Sequence, residues 1–210
     1  NTLKLSAQLF PLYPEESRIV KLAFYIDNTW KVVQTEQVNE IGWSVLFRID
    51  NWEVNKNIKY KLIHGKKAFF EGLIRKDPIN KAEIKLAALS CNSNKDRGDR
   101  DEYVRNINTL DPDLIFFAGD QSYDHKEHTA AWIKFGLQFR ELFRDRPCIT
   151  IPDDHDIGQG NLWGEGGKKS MRKDGNDGGY FFHPEYVKMV ERAQTAHLPD
   201  PYHKEELDQG

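Results

Sequence analysis

The sequence feature that most constrains the fold is the apolar run Leu114–Ala118, which Gly119 and Asp120 follow directly. A run of apolar residues without alternation predicts a strand that is covered on both faces. Tyr123 places a phenol three residues after Asp120. In open α/β sheets, ligands and metals bind just beyond the carboxyl ends of parallel strands. We therefore predict that Asp120 lies at the centre of an active site.

The composition excludes several classes of protein. Of the 210 residues, 39% are hydrophobic and 12% are aromatic, which is enough to bury a core. No apolar run approaches the roughly 20 residues that a membrane span needs. The net charge is −3 and no basic stripe is visible, so the sequence predicts no stable nucleic-acid partner. The two cysteines, Cys91 and Cys148, do not make a disulfide framework.

Residues 1–80 are predicted to form an all-β domain. Short runs rich in Val, Ile and aromatic residues are separated by turn signals such as Asp27-Asn28 and Gly65. The predicted strands are Arg18–Ile26, Lys31–Glu36, Trp43–Ile49, Ile58–His64 and Lys67–Ile74. Evenly spaced short strands favour a small β-sandwich of the immunoglobulin or fibronectin kind. Residues 76–80 are predicted to be a linker.

Residues 81–210 change to an alternation of strand, loop and helix. The predicted strands are Ile84–Leu89, Leu114–Ala118 and Cys148–Ile151. Asp99 with Glu102 resembles a capping box at the start of a first helix. Two further helices are predicted from Glu127 to Phe143 and from Pro184 to Ala196. Strands joined by helical crossovers form a parallel sheet, so the predicted fold class is α/β with an N-terminal all-β domain.

Residues 157–179 are predicted to be a loop, because glycine is frequent throughout them. The loop contains four basic residues, Lys168, Lys169, Arg172 and Lys173. A glycine-rich basic loop beside an active-site strand could close over an anionic substrate. A solvated insertion explains the same composition, and both interpretations stay open.

Each of the three predicted parallel strands ends in residues that can hold a metal. These residues are Cys91 after the first strand, Asp120 and Tyr123 after the second, and Asp153, Asp154 and His155 after the third. Thiolate, phenolate and carboxylate ligands together favour a hard trivalent ion such as iron, with oxygen ligands left for a second cation. A carboxylate can bridge two ions about 3.5–4 Å apart, as in two-metal hydrolases. Asp120, in the middle motif, is the natural bridge.

Structural interpretations of the same residues stay open. Cys91 could be an ordinary buried thiol, and Tyr123 could be a packing residue with a satisfied hydroxyl. Asp153 and Asp154 could be turn or helix-cap residues. Structural positions are expected for the remaining candidates: His125 and His128 on the surface at a helix start, and Cys148 in the core.

Three motifs together resemble the PhoD-like alkaline phosphatases, a branch of the calcineurin-like metallophosphoesterases. They are S-C-N at 90–92, D-P-D-L-I-F-F-A-G-D-Q-S-Y at 111–123 and D-D-H-D at 153–156. The segments 187–194 and 197–202 are also similar to the region that follows the third motif in that family. With the N-terminal β-domain, the resemblance covers nearly the whole chain.

The resemblance implies a role for each site residue. Cys91 and Tyr123 would bind an iron ion, and Asp120 would bridge it to a second ion, often calcium. Asp154 would ligate that second cation. His155 would contact the phosphate or protonate the leaving oxygen as a general acid, and Asp156 would orient it. The implied activity is metal-dependent hydrolysis of phosphate monoesters or diesters, in a secreted or periplasmic location.

The superfamily pattern also requires two further histidine-containing motifs, which none of residues 1–210 supplies. Four side chains are too few for two ions that each take about six ligands. We therefore expect the chain to be the N-terminal part of a longer enzyme and to be inactive alone. Residues 81–210 would then be the first part of the catalytic domain.

Two other functions are kept open. A serine esterase could use Ser122 with Asp200 and His203, although Ser122 is displaced from the Gly-Asp-Ser arrangement that such enzymes show. Alternatively, the chain could be a non-catalytic binding protein in which the β-domain binds carbohydrate or a protein partner and the second half is vestigial.

Overall fold

The structure, a computed structural model, describes residues 1–93, 98–124, 127–157, 169–173, 177, 179 and 181–200. The strands are β1 (Thr2–Gln8), β2 (Ile19–Ile26), β3 (Thr29–Gln37), β4 (Ser44–Asp50), β5 (Ile58–His64), β6 (Ala68–Ile74), β7 (Leu86–Leu89), β8 (Leu114–Ala118) and β9 (Cys148–Ile151). The helices are α1 (Arg100–Leu110), α2 (His128–Gln138), α3 (Arg140–Phe143) and α4 (Pro184–Thr195). None of the helices within these residues is long and apolar enough to span a membrane.

Two antiparallel sheets form the N-terminal region. One has the strand order β3-β2-β5-β6 and the other pairs β1 with β4. Strands β2 and β3 are joined through Asp27 and Asn28, whose φ angles are 51° and 60°. Two central residues with positive φ are typical of a type I′ turn, whose twist matches that of a hairpin. The turn signal in the sequence is therefore met by a tight hairpin.

The two antiparallel sheets share one hydrophobic core. Val20, Leu22 and Phe24 of β2 and Val45 and Phe47 of β4 are all buried and belong to the same cluster. The alternation along β2 and β4 places these side chains on the inner faces of their sheets. The Val, Ile and aromatic residues that are frequent in the first 80 residues thus supply the core between the two sheets.

The second region contains a parallel sheet with the order β7-β8-β9. Leu86 of β7 pairs with Leu114 of β8, and Ala118 of β8 pairs with Ile151 of β9. Helix α1 connects the first two strands, and α2 and α3 connect the second pair. The carboxyl ends of all three strands therefore lie at one edge of the sheet. The predicted fold class, α/β with an N-terminal all-β region, is confirmed.

The helices cover one face of the central strand. Ile115 and Phe117 are 0% and 2% exposed, and the Phe117 ring lies 4.9 Å from Phe135 and 5.1 Å from Phe139 between centroids. The residues that alternate with them, Leu114, Phe116 and Ala118, are half-buried. Burial on both faces was expected from the apolar run. Among the residues of β8, all of which are described, only Ile115 and Phe117 on the helix side are fully buried.

The structure corrects several boundaries. Strand β1 was not predicted, although Leu3, Leu5 and Ala7 alternate with polar residues along Thr2–Gln8, and it pairs with β4 along its full length. The helix predicted over 127–143 is two helices that meet at Phe139, whose φ of −107° and ψ of 14° end α2. Phe139 is 2% exposed, so packing of its ring outweighs continuity of the helix.

His128 is also corrected: it begins α2 as expected, but it is buried rather than on the surface. The ring is 5% exposed, and burial lowers its pKa from 6.5 to about 4. It packs between Trp132 and Tyr186, with its Nε2 3.4 Å from the side-chain nitrogen of Gln194. The aromatic residues of α2 and α4 thus hold a neutral imidazole in the core.

This burial predicts that the free energy of unfolding falls as the pH is lowered from 6.5 towards 4. In that window the unfolded chain protonates His128, whereas the folded chain does not. The expected loss is about 3 kcal/mol, and it is complete below the lowered pKa. Chemical denaturation of His128→Gln across this range should show a smaller pH slope than the wild type. The same change at the partly exposed His64 serves as the control; equal slopes in wild type and His128→Gln would contradict the prediction.

Candidate metal centre at the strand ends

The three loops that follow β7, β8 and β9 bring the predicted site residues together. The Cys91 sulfur lies 3.7 Å from Asp120 Oδ2, and the Tyr123 hydroxyl donates a hydrogen bond of 2.9 Å to the same oxygen. Ligand atoms of Asp120, Asp154 and His155 lie within 4.8 Å of one another. All five side chains predicted to form the site therefore meet at one edge of the parallel sheet.

Backbone conformations with positive φ angles hold Asp120 in this position. Gly119 and Asp120 both lie in the left-handed region, with φ angles of 86° and 55°. Cys91, with a φ of 59°, donates its backbone N–H to the Gly119 carbonyl at 3.3 Å. Non-glycine residues with positive φ cost free energy and cluster at functional sites. The strand ends are therefore bent so that the Cys91 and Asp120 side chains face each other.

The carboxylate of Asp120 is only half satisfied. Its Oδ2 accepts from Tyr123 and Cys91, whereas its Oδ1 is buried and has no hydrogen-bond partner among the described residues. The residue is 7% exposed. A buried carboxylate oxygen without a partner is costly, and a cation would relieve that cost. This orphaned oxygen shows that the site fits a metal ion.

The hydroxyl of Tyr123 is held in its protonated form in the structure as it stands. Burial raises its pKa above the usual 10, and the contacts with Cys91 and Asp120 raise it further. The phenol becomes a good metal ligand once a nearby cation favours its ionised form. Tyr123 thus donates to Asp120 in one state and can bind a cation in another.

Asp154 and His155 lie in a turn directly after β9. Asp154 is 9% exposed, and its Oδ1 accepts the backbone N–H of His155 at 2.8 Å. The His155 ring packs on Tyr123, with 4.3 Å between the ring centroids and 41° between the planes. Asp153 Oδ1 accepts the Asp154 N–H at 2.8 Å, which is the turn role that the sequence left open for it.

Two polar residues hold this arrangement together: Asn92, for which no role was predicted, and Asp156, which the resemblance implied would orient His155. Asn92, which follows Cys91, donates its side-chain amide to the Gln121 carbonyl at 3.2 Å. The carboxylate of Asp156 accepts the backbone N–H groups of Ser122 and Asp153 at 3.3 and 3.0 Å. Burial raises the pKa of Asp156 to about 6, while its backbone hydrogen bonds act in the opposite direction. Asn92 lies in the S-C-N motif and Asp156 in the D-D-H-D motif, but these positions alone did not predict the contacts that they make.

The remaining candidates have other positions. Ser122 is buried and its hydroxyl accepts the Asp124 N–H at 3.0 Å, while Asp200 pairs with Arg48 and Lys4. His125, His203 and most of the glycine-rich segment lie outside the described residues. Cys148 is half-buried within β9, and burial raises the pKa of its thiol to about 12. Because His203 lies outside the described residues, the structure does not test the predicted serine-esterase triad.

The fold is similar to two solved structures. Over 96% of this chain and 44% of the other, it matches a structure of PhoD with a TM-score of 0.66 and 16% sequence identity. It also matches the purple acid phosphatase PPD1 from yellow lupin (Lupinus luteus), with a TM-score of 0.59 and 13% identity over 90% of this chain and 38% of that one. No protein-family model and no curated protein sequence matches the chain.

These similarities confirm the predicted resemblance at the level of the fold. They extend across both the antiparallel and the parallel sheets, since nearly all of the chain is covered. The chain spans less than half the length of either solved structure. The roles of individual residues rest on the geometry at the strand ends rather than on sequence identity.

Gly119 provides a test of the backbone at the site. A Cβ atom added there would lie 2.5 Å from the Cβ of Asp153, and the φ of 86° disfavours any L side chain. We expect Gly119→Ala to destabilise the fold by about 1–3 kcal/mol and to push the Asp120 and Asp153 loops apart. Thermal unfolding and cation binding measure the two effects. Gly65→Ala, also at positive φ but in open space, is the control. Equal effects at the two positions would contradict a role for the close approach to Asp153.

Proposed function

We propose that the protein belongs to a metal-dependent phosphoesterase system and that this edge of the parallel sheet is its cation site. The orphaned, buried Oδ1 of Asp120 is the observation that carries the proposal. It lies among a thiol, a phenol, a second carboxylate and an imidazole, a set of side chains suited to binding cations. The similarity of the fold to PhoD and to a purple acid phosphatase supports the same assignment.

The proposed ligands divide into two groups around Asp120. Cys91 and Tyr123, which both contact Asp120 Oδ2, would hold iron, because thiolate and phenolate suit a trivalent ion. Asp154 would hold a second cation such as calcium, with Asp120 shared between the two. When bound, such cations lower the pKa of water and stabilise negative charge on a phosphoryl group.

His155 is the residue proposed to handle the proton of the reaction. Its ring is half-buried and oriented by the face of Tyr123. An imidazole in this place can contact a phosphate oxygen or give a proton to the leaving oxygen. The substrate is therefore proposed to be a phosphate ester, as a monoester or a diester. The division into domains at residue 80 and the secreted or periplasmic location stay predictions.

Cation binding is the first test of this proposal. The intact gene product should bind Fe³⁺ and a divalent ion in titration calorimetry and metal analysis. Asp120→Asn should weaken binding by at least about a hundredfold, beyond the range typical of changes outside the ligand set. Asp27→Asn, in the exposed hairpin turn, should bind as the wild type does. An intact wild-type protein that binds neither ion at micromolar concentration would contradict the proposal.

Tyr123→Phe tests which cation the thiol and phenol hold. If iron sits between them, the loaded wild type should show a visible absorption band from the iron–phenolate pair. The variant should lose the band and bind iron more weakly, while retaining the second cation. A band of unchanged intensity in Tyr123→Phe would contradict the assignment of this tyrosine.

Hydrolysis is tested on the intact gene product. p-Nitrophenyl phosphate and its bis-ester separate monoesterase from diesterase activity. A chelator should abolish turnover and added metal should restore it. We expect His155→Ala to lower kcat by about a hundredfold or more, the usual contribution of a general acid. Turnover that withstands complete removal of metal would contradict the proposed function.

A further inference from the structure

One peptide group between two proposed ligands is held from both sides by side chains of neighbouring loops. The carbonyl of Gln121 accepts from Asn92 Nδ2 at 3.2 Å. The N–H of Ser122, in the same peptide group, donates to Asp156 Oδ1 at 3.3 Å. This peptide lies between Asp120 and Tyr123 in the chain. Its orientation therefore restrains the backbone from which both of those side chains project.

Asn92 has a fixed orientation because all parts of its side-chain amide are used. Its Oδ1 accepts from Arg100 Nε at 2.9 Å, and its Nδ2 also donates to Gln138 Oε1 at 3.0 Å. Its backbone N–H donates to the Asp120 carbonyl at 2.8 Å. If the side-chain amide were inverted, its oxygen would face the Gln121 carbonyl and its nitrogen would face the Arg100 donor. Asn92 therefore ties the loop after β7 to the loop after β8.

Asp156 makes the corresponding connection from the other side. It is 3% exposed, and its second oxygen accepts the Asp153 N–H at 3.0 Å. One buried carboxylate thus accepts hydrogen bonds from backbone N–H groups in two different loops. Asp156 ties the loop after β9 to the loop after β8.

The need for such support follows from the backbone of the middle loop. Gly119 and Asp120 occupy left-handed conformations in succession. Strained backbone of this kind persists only where the surroundings hold it in place. The polar contacts of Asn92 and Asp156 act on the next peptide along the chain. They are well placed to prevent the loop from relaxing.

We propose that Asn92 and Asp156 are positioning residues that fix Asp120 and Tyr123 relative to Cys91 and Asp154. They act through the Gln121–Ser122 peptide rather than by touching a cation or a substrate. The inference rests on the proposed cation site and extends it to two residues outside the proposed ligand set. It also assigns Asp156 a role in joining loops, in addition to the orientation of His155 that the resemblance implies.

Two substitutions of nearly equal shape test the proposal. Asp156→Asn turns one acceptor oxygen into a donor that faces a backbone N–H, and Asn92→Asp turns the donor into an acceptor that faces the Gln121 carbonyl. Each is expected to weaken Fe³⁺ binding by about 10–100-fold in titration calorimetry, the usual effect of losing an outer partner of a metal ligand. Amide hydrogen exchange at Ser122 should become faster in both variants.

A matched control separates positioning from general loss of stability. Asp145 Oδ1 accepts the backbone N–H of Leu73 at 2.9 Å, a bond of the same kind before the start of β9. Asp145→Asn should bind iron within about threefold of the wild type, because this bond lies away from the proposed ligands. Asp156→Glu, which keeps both acceptor oxygens, should recover most of the affinity lost in Asp156→Asn.

A milder change covers the case in which both buried variants fail to fold. Gln138→Met removes one of the contacts of Asn92 from the half-buried end of α2. It should weaken iron binding by about threefold or more, since Asn92 then loses part of its restraint. Folded variants with wild-type affinity, or a loss in Asp145→Asn as large as in Asp156→Asn, would overturn the proposal. Absence of binding to the wild type would instead overturn the proposed function, so the two failures are distinguishable.

Discussion

Parallel pairing of β8 with β7 and β9 is the constraint on which the candidate site depends. It places the ends of three strands side by side, although Cys91 and Asp154 are far apart in the chain. Ile115 and Phe117 stabilise this pairing, because they pack on the aromatic residues of α2 and α3. Strand ends fixed in this way can hold ligands more precisely than free loops can. Helices α2 and α3 therefore stabilise the strands that carry the site, although none of the proposed ligands lies on them.

The site buries three carboxylates close to one another, which is electrostatically unfavourable. Asp120, Asp154 and Asp156 are all at most 9% exposed and lie in adjoining loops. Burying carboxylates costs free energy unless they are paired or coordinate a cation. Asp156 meets this demand with backbone N–H groups, and its raised pKa shows that the compensation is incomplete. Asp120 has only its Oδ2 satisfied, which leaves the need that a cation would meet.

The parts of this arrangement that the sequence could predict are those encoded locally. The apolar run before Gly119 marked β8, and the residues after each apolar run marked the strand ends. The burial of His128, the break at Phe139 and the contacts of Asn92 could not be predicted, because each depends on residues distant in sequence. Thr2–Gln8 is the exception, because its alternating Leu3, Leu5 and Ala7 are a local strand signal that the prediction left out. Local patterns thus locate the ligands, whereas tertiary packing decides how they are held.

The geometry also bears on whether the second half is a vestigial domain beneath a binding module. Buried ionic groups are seldom the most stable choice for a protein interior, and apolar residues of similar volume often stabilise it more. Here a strained Asp120, a close approach of Gly119 to Asp153 and two buried polar connections all converge on the same few atoms. Local conflicts of this kind are expected where function opposes stability. A region without function would have no reason to concentrate them at the ends of three strands, so the arrangement favours a working cation site over a relic.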